Sequence, residues 1–154
     1  MVALCLALPS TRRWRSYFSP FYMTPIVRHA ALMAAGSLLI FAALLVAATL
    51  RRKRWWLLLH WSAGLAGTAV ILLGAIATVA AIAFSTGRHL RVPHTWLGAV
   101  TVATALIVPV LGLLQFRIRT KAGTLRTVHR FCGRFLAGAA FATLLLGLRL
   151  TGIL

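Results

Sequence analysis

The sequence predicts an all-α integral membrane protein, a four-helix up-down-up-down transmembrane bundle. The 154 residues are 61% hydrophobic and only 11% charged, with a mean hydropathy of +0.93. Such a chain cannot supply the polar surface that a soluble domain needs. The charges are also bunched, and the charge-free runs between them are long enough to cross a hydrocarbon core, which takes ~20 helical residues. Short loops between four such runs predict antiparallel neighbours.

The chain is expected to begin with an interfacial segment, residues 1–24, followed by the four-helix domain, residues 25–154. Arginines alternate with Trp and Tyr in the second half of that segment, a mixture typical of the headgroup level of a membrane. Thr24 and Pro25 are the expected N-cap and first-turn proline of the first span, which runs through Leu50.

The other three spans follow in the same way. Apolar runs place them at about 55–84, 93–116 and 123–148. Pro93 is a favourable first-turn residue, and Pro109 is expected to kink the third helix because proline lacks the N–H that the helix needs.

The charge balance excludes several kinds of function. The chain has 17 Lys and Arg and no Asp or Glu, so carboxylate catalysis and carboxylate-bound metals are ruled out. Because the cations lie beside apolar spans, anionic lipid rather than nucleic acid is their expected partner.

The cations also predict an orientation for a multi-pass protein of the plasma or cytoplasmic membrane. The loops at 51–54 and 117–134 hold ten of them, against four near the opposite face, so the positive-inside rule places both loops in the cytoplasm. The ten are Arg51, Arg52, Lys53, Arg54, Arg117, Arg119, Lys121, Arg126, Arg130 and Arg134.

Four of the five histidines recur at intervals of 31, 34 and 35 residues: His29, His60, His94 and His129. Each falls in the first turn or two of its own helix. Since consecutive helices run in opposite directions, His29 and His94 share one side of the membrane, and His60 and His129 share the other. Pairing across the two sides fails, because a ~30 Å core would separate the rings.

Two imidazoles facing each other from different helices are what a bis-histidine haem requires. The sequence therefore predicts two b haems, bound without a CxxCH attachment site. Glycine follows three of the histidines at the i+4 position, as Gly64, Gly98 and Gly133, and leaves room for a porphyrin on that helix face. Met33 takes this position after His29 and is expected to pack against the ring edge.

The fifth histidine, His89, has no partner at its depth. It lies between Arg88 and Arg91 and is expected to be a solvated loop residue, with a substrate or proton role as the alternative. The alternative for the other four is an ordinary interfacial role in a structural bundle that binds nothing.

At these residues the sequence resembles the cytochrome b561 family of dihaem transmembrane electron carriers. The resemblance covers about residues 28–150 in four ordered pieces: HAALMAAG, RWWLLLHWSAG, HTWLGAV and HRFCG. It implies the same ligand pairs and an oxidoreductase that takes electrons from ascorbate, or a similar reductant, and delivers them across the membrane to monodehydroascorbate or ferric iron. The chain resembles a minimal four-helix core of the family.

The resemblance also implies a cationic donor site at the cytoplasmic haem. Arg54, six residues before His60, falls where the family often has a lysine, whereas the family's second lysine position is Leu58 here. Together with the local charge density, this gives Arg54, Arg51, Lys53 and Arg126 as the expected substrate-binding residues.

Two further readings stay open at this stage. A haem-bearing anchor subunit would relay electrons between a soluble oxidoreductase and quinone, and its basic loops would face an acidic protein partner. A homodimer is also compatible with the sequence.

Overall fold

The computed structural model describes residues 20–85 and 92–150, and their side chains from 27 to 81 and from 92 to 150. These residues form four long helices: α1 Pro20–Thr49, α2 Trp56–Ser85, α3 Pro93–Arg117 and α4 Ala122–Leu150. A 3₁₀ turn, Arg119–Lys121, precedes α4. All four helices are long and apolar enough to cross a membrane, and the described residues contain no strand. The predicted four-helix transmembrane fold is confirmed.

The predicted start of the first helix is wrong. The helix α1 begins at Pro20, so Thr24 and Pro25 lie inside it. The sequence carries the same type of start signal twice, as Ser19-Pro20 and as Thr24-Pro25, and the helix begins at the first of the two prolines, Pro20. Residues 1–19 of the expected interfacial segment lie outside the described residues, as does His89. At the other end, α4 begins at Ala122, one residue before the predicted Gly123.

The helices α1 and α2 form a close-packed hairpin through two glycines. A Cβ atom on Gly67 would lie 3.0 Å from the carbonyl oxygen of Gly36, and one on Gly36 would lie 2.7 Å from Cγ1 of Ile71. Small residues of this kind let helix backbones approach closely in lipid. The helices α3 and α4 form a second hairpin, in which the buried hydroxyls of Thr101 and Thr143 lie 3.0 Å apart.

The apolar core joins the hairpins at mid-depth. Its buried members come from all four helices: Met33, Ile40, Ile71, Ala105 and Leu136. Large apolar side chains elsewhere point outward, as expected when lipid is the solvent. Packing within each hairpin is much closer than packing between them, and the backbones of the diagonal pairs, α1 with α3 and α2 with α4, stay apart. The bundle therefore has room between its hairpins above and below the core.

Pro109 lies inside α3 as predicted and creates one of the contacts between hairpins. Because proline has no N–H, the carbonyl of Ala105, four residues earlier, lacks its usual helical donor. The hydroxyl of Thr68 in α2 donates to that carbonyl at 3.3 Å. Both residues are buried, so the bond satisfies a polar group that lipid could not.

Candidate functional site

Two histidine pairs face each other across the diagonals of the bundle. The ring centres of His29 in α1 and His94 in α3 are 6.2 Å apart, and those of His60 in α2 and His129 in α4 are 6.0 Å apart. In both pairs the ring planes are 89° apart. All four side chains are half-buried. These are the same two pairs that the alternating helix direction predicts.

The Nδ1 atoms of these rings are held by main-chain carbonyls. Three histidines donate to the adjacent helix of their own hairpin: His60 to Ala43 at 2.9 Å, His94 to Thr143 at 3.0 Å and His129 to Val108 at 3.0 Å. A carbonyl oxygen can only accept, so Nδ1 carries the hydrogen and Nε2 keeps its lone pair. This is the tautomer that a metal-ligating imidazole needs, oriented by the partner that such ligands usually have.

The fourth histidine reaches the same state differently. His29 Nδ1 lies 2.6 Å from the hydroxyl oxygen of Thr78 and 3.2 Å from the carbonyl oxygen of Gly74. The Thr78 hydroxyl donates its own hydrogen to Gly74 at 2.9 Å. It therefore accepts from His29, and Nε2 of this ring is also left with a lone pair.

The spacing of the rings fits a single iron between each pair. An imidazole nitrogen binds a metal at about 2.0 Å, and the ring centre lies about 1.1 Å behind that nitrogen, so two axial imidazoles place their centres about 6 Å apart. The observed separations are 6.2 and 6.0 Å. Each pair brings two imidazoles together, and two is the number of axial ligands that a six-coordinate haem iron takes.

The predicted glycines leave open space beside the rings. A Cβ on Gly133 would meet nothing within 4 Å, and one on Gly64 or Gly98 would meet only a methyl group at 3.9 Å. Such space suits a flat ring system. Met33, which takes the same position after His29, leaves no such space. Its side chain is buried in the core, and its Sδ lies 3.2 Å from where a Cβ on Gly74 would be.

Two further glycines, Gly112 and Gly147, lie directly against the imidazoles, and the sequence analysis did not predict them. A Cβ on Gly112 would lie 3.3 Å from Cε1 of His129, and one on Gly147 would lie 3.1 Å from Cε1 of His94. A signal was present, because each glycine comes 18 residues, or about five helical turns, after the histidine of its own helix.

A cavity of about 540 Å³ opens beside His60 and His129. This volume lies within the ~300–1,000 Å³ usual for ligand and cofactor pockets. Its lining is mostly apolar and includes Trp56 and Phe116, with four exposed arginines: Arg51, Arg126, Arg130 and Arg134. An apolar slot with cations and two imidazoles fits a porphyrin whose propionates are anionic. The residues present therefore fit a b haem.

The family comparison now decides the class of protein. The family model for eukaryotic cytochrome b561 matches residues 26–153, nearly the whole chain. The chain belongs to the cytochrome b561 family. It is accordingly an integral, multi-pass membrane protein that carries b-type haem and transfers electrons across the membrane. Among curated proteins and solved structures, none matches this cytochrome b561 significantly.

The expected substrate residues divide into two groups in this cytochrome b561. Arg51 and Arg126 line the cavity, whereas Lys53 and Arg54 are exposed in the turn between α1 and α2 and are not part of its lining. Arg134 also lines the cavity, although it was not among the expected substrate-binding residues. The sequence does contain a signal for this position, because Arg126, Arg130 and Arg134 recur every four residues and therefore share one face of α4.

Proposed function

We propose that this cytochrome b561 carries electrons across the membrane through two b haems, one held by His29 and His94 and the other by His60 and His129. The observation that supports the proposal is the state of the four imidazoles. They form two facing pairs at the spacing of axial ligands, and every Nδ1 is engaged by a neighbouring group. Four surface histidines would not share this arrangement.

Haem supplies the one-electron redox chemistry when it is bound. The residues of the chain do the rest. The carbonyls of Ala43, Thr143 and Val108 accept from Nδ1 of their imidazoles, which fixes the tautomer and leaves the lone pair of each Nε2 available to a haem iron. Outward-facing apolar side chains exclude water around the sites.

The electron donor is a small anionic reductant such as ascorbate, bound by exposed arginines outside the cavity that the His60/His129 haem fills. Arg51 and Arg126 are both exposed at that site, and the chain has no Asp or Glu that could neutralise them. Guanidinium groups can hold a carboxylate or an enediolate through two parallel hydrogen bonds. Lys53 and Arg54 raise the local concentration of the anion from the adjacent turn.

This face is cytoplasmic by the positive-inside rule, since both cation-rich loops adjoin the His60/His129 end. Electrons therefore enter at the cytoplasmic haem and leave at the other side of the membrane.

The deciding experiment measures haem content and electron transfer in the same preparation. Purified protein in vesicles containing ferricyanide should hold two haems per chain by pyridine haemochrome assay and should pass electrons inward from external ascorbate. Fewer than two haems per chain would contradict the dihaem proposal. Two haems that ascorbate leaves oxidised, but that a purified redox protein reduces, would contradict the small-molecule donor.

A further inference from the structure

One histidine of the four has a side-chain partner at Nδ1. His29 Nδ1 lies 2.6 Å from the hydroxyl oxygen of Thr78, whereas within the described part of the chain His60, His94 and His129 bond at Nδ1 only to main-chain carbonyls. The two histidine pairs are therefore chemically different in an otherwise similar arrangement.

The Thr78 hydroxyl forms a chain of two hydrogen bonds. It accepts from His29 and donates to the carbonyl of Gly74 at 2.9 Å, and Gly74 is itself 3.2 Å from His29 Nδ1. Donation to the carbonyl polarises the hydroxyl oxygen and makes it a better acceptor. A better acceptor at Nδ1 increases the basicity of the imidazole as a ligand.

The matching positions of the other helices show that the helix itself does not require threonine there. Thr78 follows His60 by 18 residues, and the residues 18 places after His29, His94 and His129 are Ala47, Gly112 and Gly147. In α3 and α4 this position contacts an imidazole of the other helix in the hairpin, as Thr78 does in α2. Only α2 places a hydrogen-bonding side chain there.

We propose that Thr78 is a positioning residue that orients the imidazole of His29 and lowers the reduction potential of the haem held by His29 and His94. The inference rests on the proposed function, since it requires a haem at that pair. A more basic ligand stabilises the ferric state. Without the Thr78 hydroxyl, His29 Nδ1 keeps only the longer 3.2 Å contact to the carbonyl of Gly74, so the potential of this haem rises.

The test compares three variants of the full-length protein in spectroelectrochemical redox titrations. Thr78→Val keeps the shape and removes the hydroxyl, Thr78→Ser keeps the hydroxyl, and Thr104→Val is the control. Thr104 is half-buried and donates to the carbonyl of Val100 in its own helix, and no histidine of the described residues is among its hydrogen-bond partners. A His60→Ala background, which should retain only the His29/His94 haem, assigns the shifted potential to that site.

Thr78→Val should raise one of the two midpoint potentials and leave the other unchanged, and it should shift the largest g value of the same haem in its low-spin EPR spectrum. Thr78→Ser and Thr104→Val should titrate as the wild type does. An unchanged potential in Thr78→Val, or an equal shift in Thr78→Ser, overturns the inference while two haems remain and the proposed function stands. A wild-type protein without a His29/His94 haem overturns both.

Discussion

Gly147 of α4 lies directly against the imidazole of His94 in α3, so that a Cβ atom there would be 3.1 Å from Cε1 and 3.5 Å from Nδ1 of the ring. Contacts this short require a neighbour to move, and the ring is held from Nδ1 by Thr143 of the same helix α4. A methyl group would therefore displace the ring and strain its hydrogen bond to the carbonyl of Thr143. The absence of a side chain at this position is part of how the site holds its histidine.

The first prediction follows from that contact. We expect Gly147→Ala to weaken haem binding at the His29/His94 site by roughly tenfold, the lower end of what changes around metal ligands cost. Gly138→Ala is the matched control, because a Cβ at Gly138 would meet nothing within 4 Å. That variant should be more stable, by up to about 1 kcal/mol, since alanine favours a helix over glycine. The amount of haem that each variant retains during detergent washing compares their haem binding. Equal retention in Gly147→Ala and Gly138→Ala would contradict the prediction.

The second prediction concerns space that the protein leaves open. Gly133 and Gly138 lie in the same helix, and a Cβ on either would meet no other atom within 4 Å, but only Gly133 lines the cavity beside His60 and His129. Gly133→Leu should abolish the haem of that site, whereas Gly138→Leu should leave both haems in place. The absorption spectrum and haem-to-protein ratio of each variant decide this. Normal haem content in Gly133→Leu would mean that the porphyrin does not occupy the cavity.

The third prediction concerns the separateness of the two sites. Because the histidine pairs lie at opposite ends of the bundle with the apolar core between them, His129→Ala should remove one haem and leave the spectrum of the other unchanged. His94→Ala should do the converse. The pyridine haemochrome assay should fall from two haems per chain to one in each variant. Loss of both haems from both variants would show that the sites fill cooperatively.

The sequence predicted the helices well, because a bilayer fixes the length of each span and the helix type is then forced. It also predicted which histidines share a depth, since helix direction alternates regardless of packing. It failed at the start of α1, where Ser19-Pro20 and Thr24-Pro25 are chemically equivalent start signals. Local sequence cannot rank two such signals.

The supports of the imidazoles were less predictable. Carbonyl partners such as Ala43 and Val108 act through the backbone, so their side chains carry no trace of the role. Gly112 and Gly147 act across a helix–helix contact, and only the recurring interval of 18 residues hinted at them. Thr78 stands among many small apolar residues, where a threonine is unremarkable until His29 is seen beside it.

The fourth prediction is that haem joins the two hairpins. Each proposed haem takes one ligand from the α1–α2 hairpin and one from the α3–α4 hairpin, and the hairpins pack far more closely within themselves than against each other. Ligands that bind only the folded state stabilise it by mass action. Haem-free protein should therefore unfold at a markedly lower temperature and expose the bundle interior to hydrogen exchange, while each hairpin stays protected. Equal exchange in the two forms would show that the hairpins associate without haem.

The last prediction concerns the donor. Arg126→Gln should slow reduction by ascorbate several-fold, because Arg126 lines the cavity next to His129, and Arg54→Gln should have a smaller effect, because Arg54 lies in the exposed turn outside it. Arg149→Gln, in the last turn of α4 at the opposite end, is the matched control and should have none. Reduction by a neutral small molecule should be unchanged in all three, and haem content should stay at two.

Rising salt should slow the ascorbate reaction of the wild type, because the screening length shortens from ~10 Å at 0.1 M to ~3 Å at 1 M ionic strength. If instead Arg126→Gln slows both reductants equally, the arginine acts on the haem or on lipid headgroups, and the anionic reductant binds elsewhere.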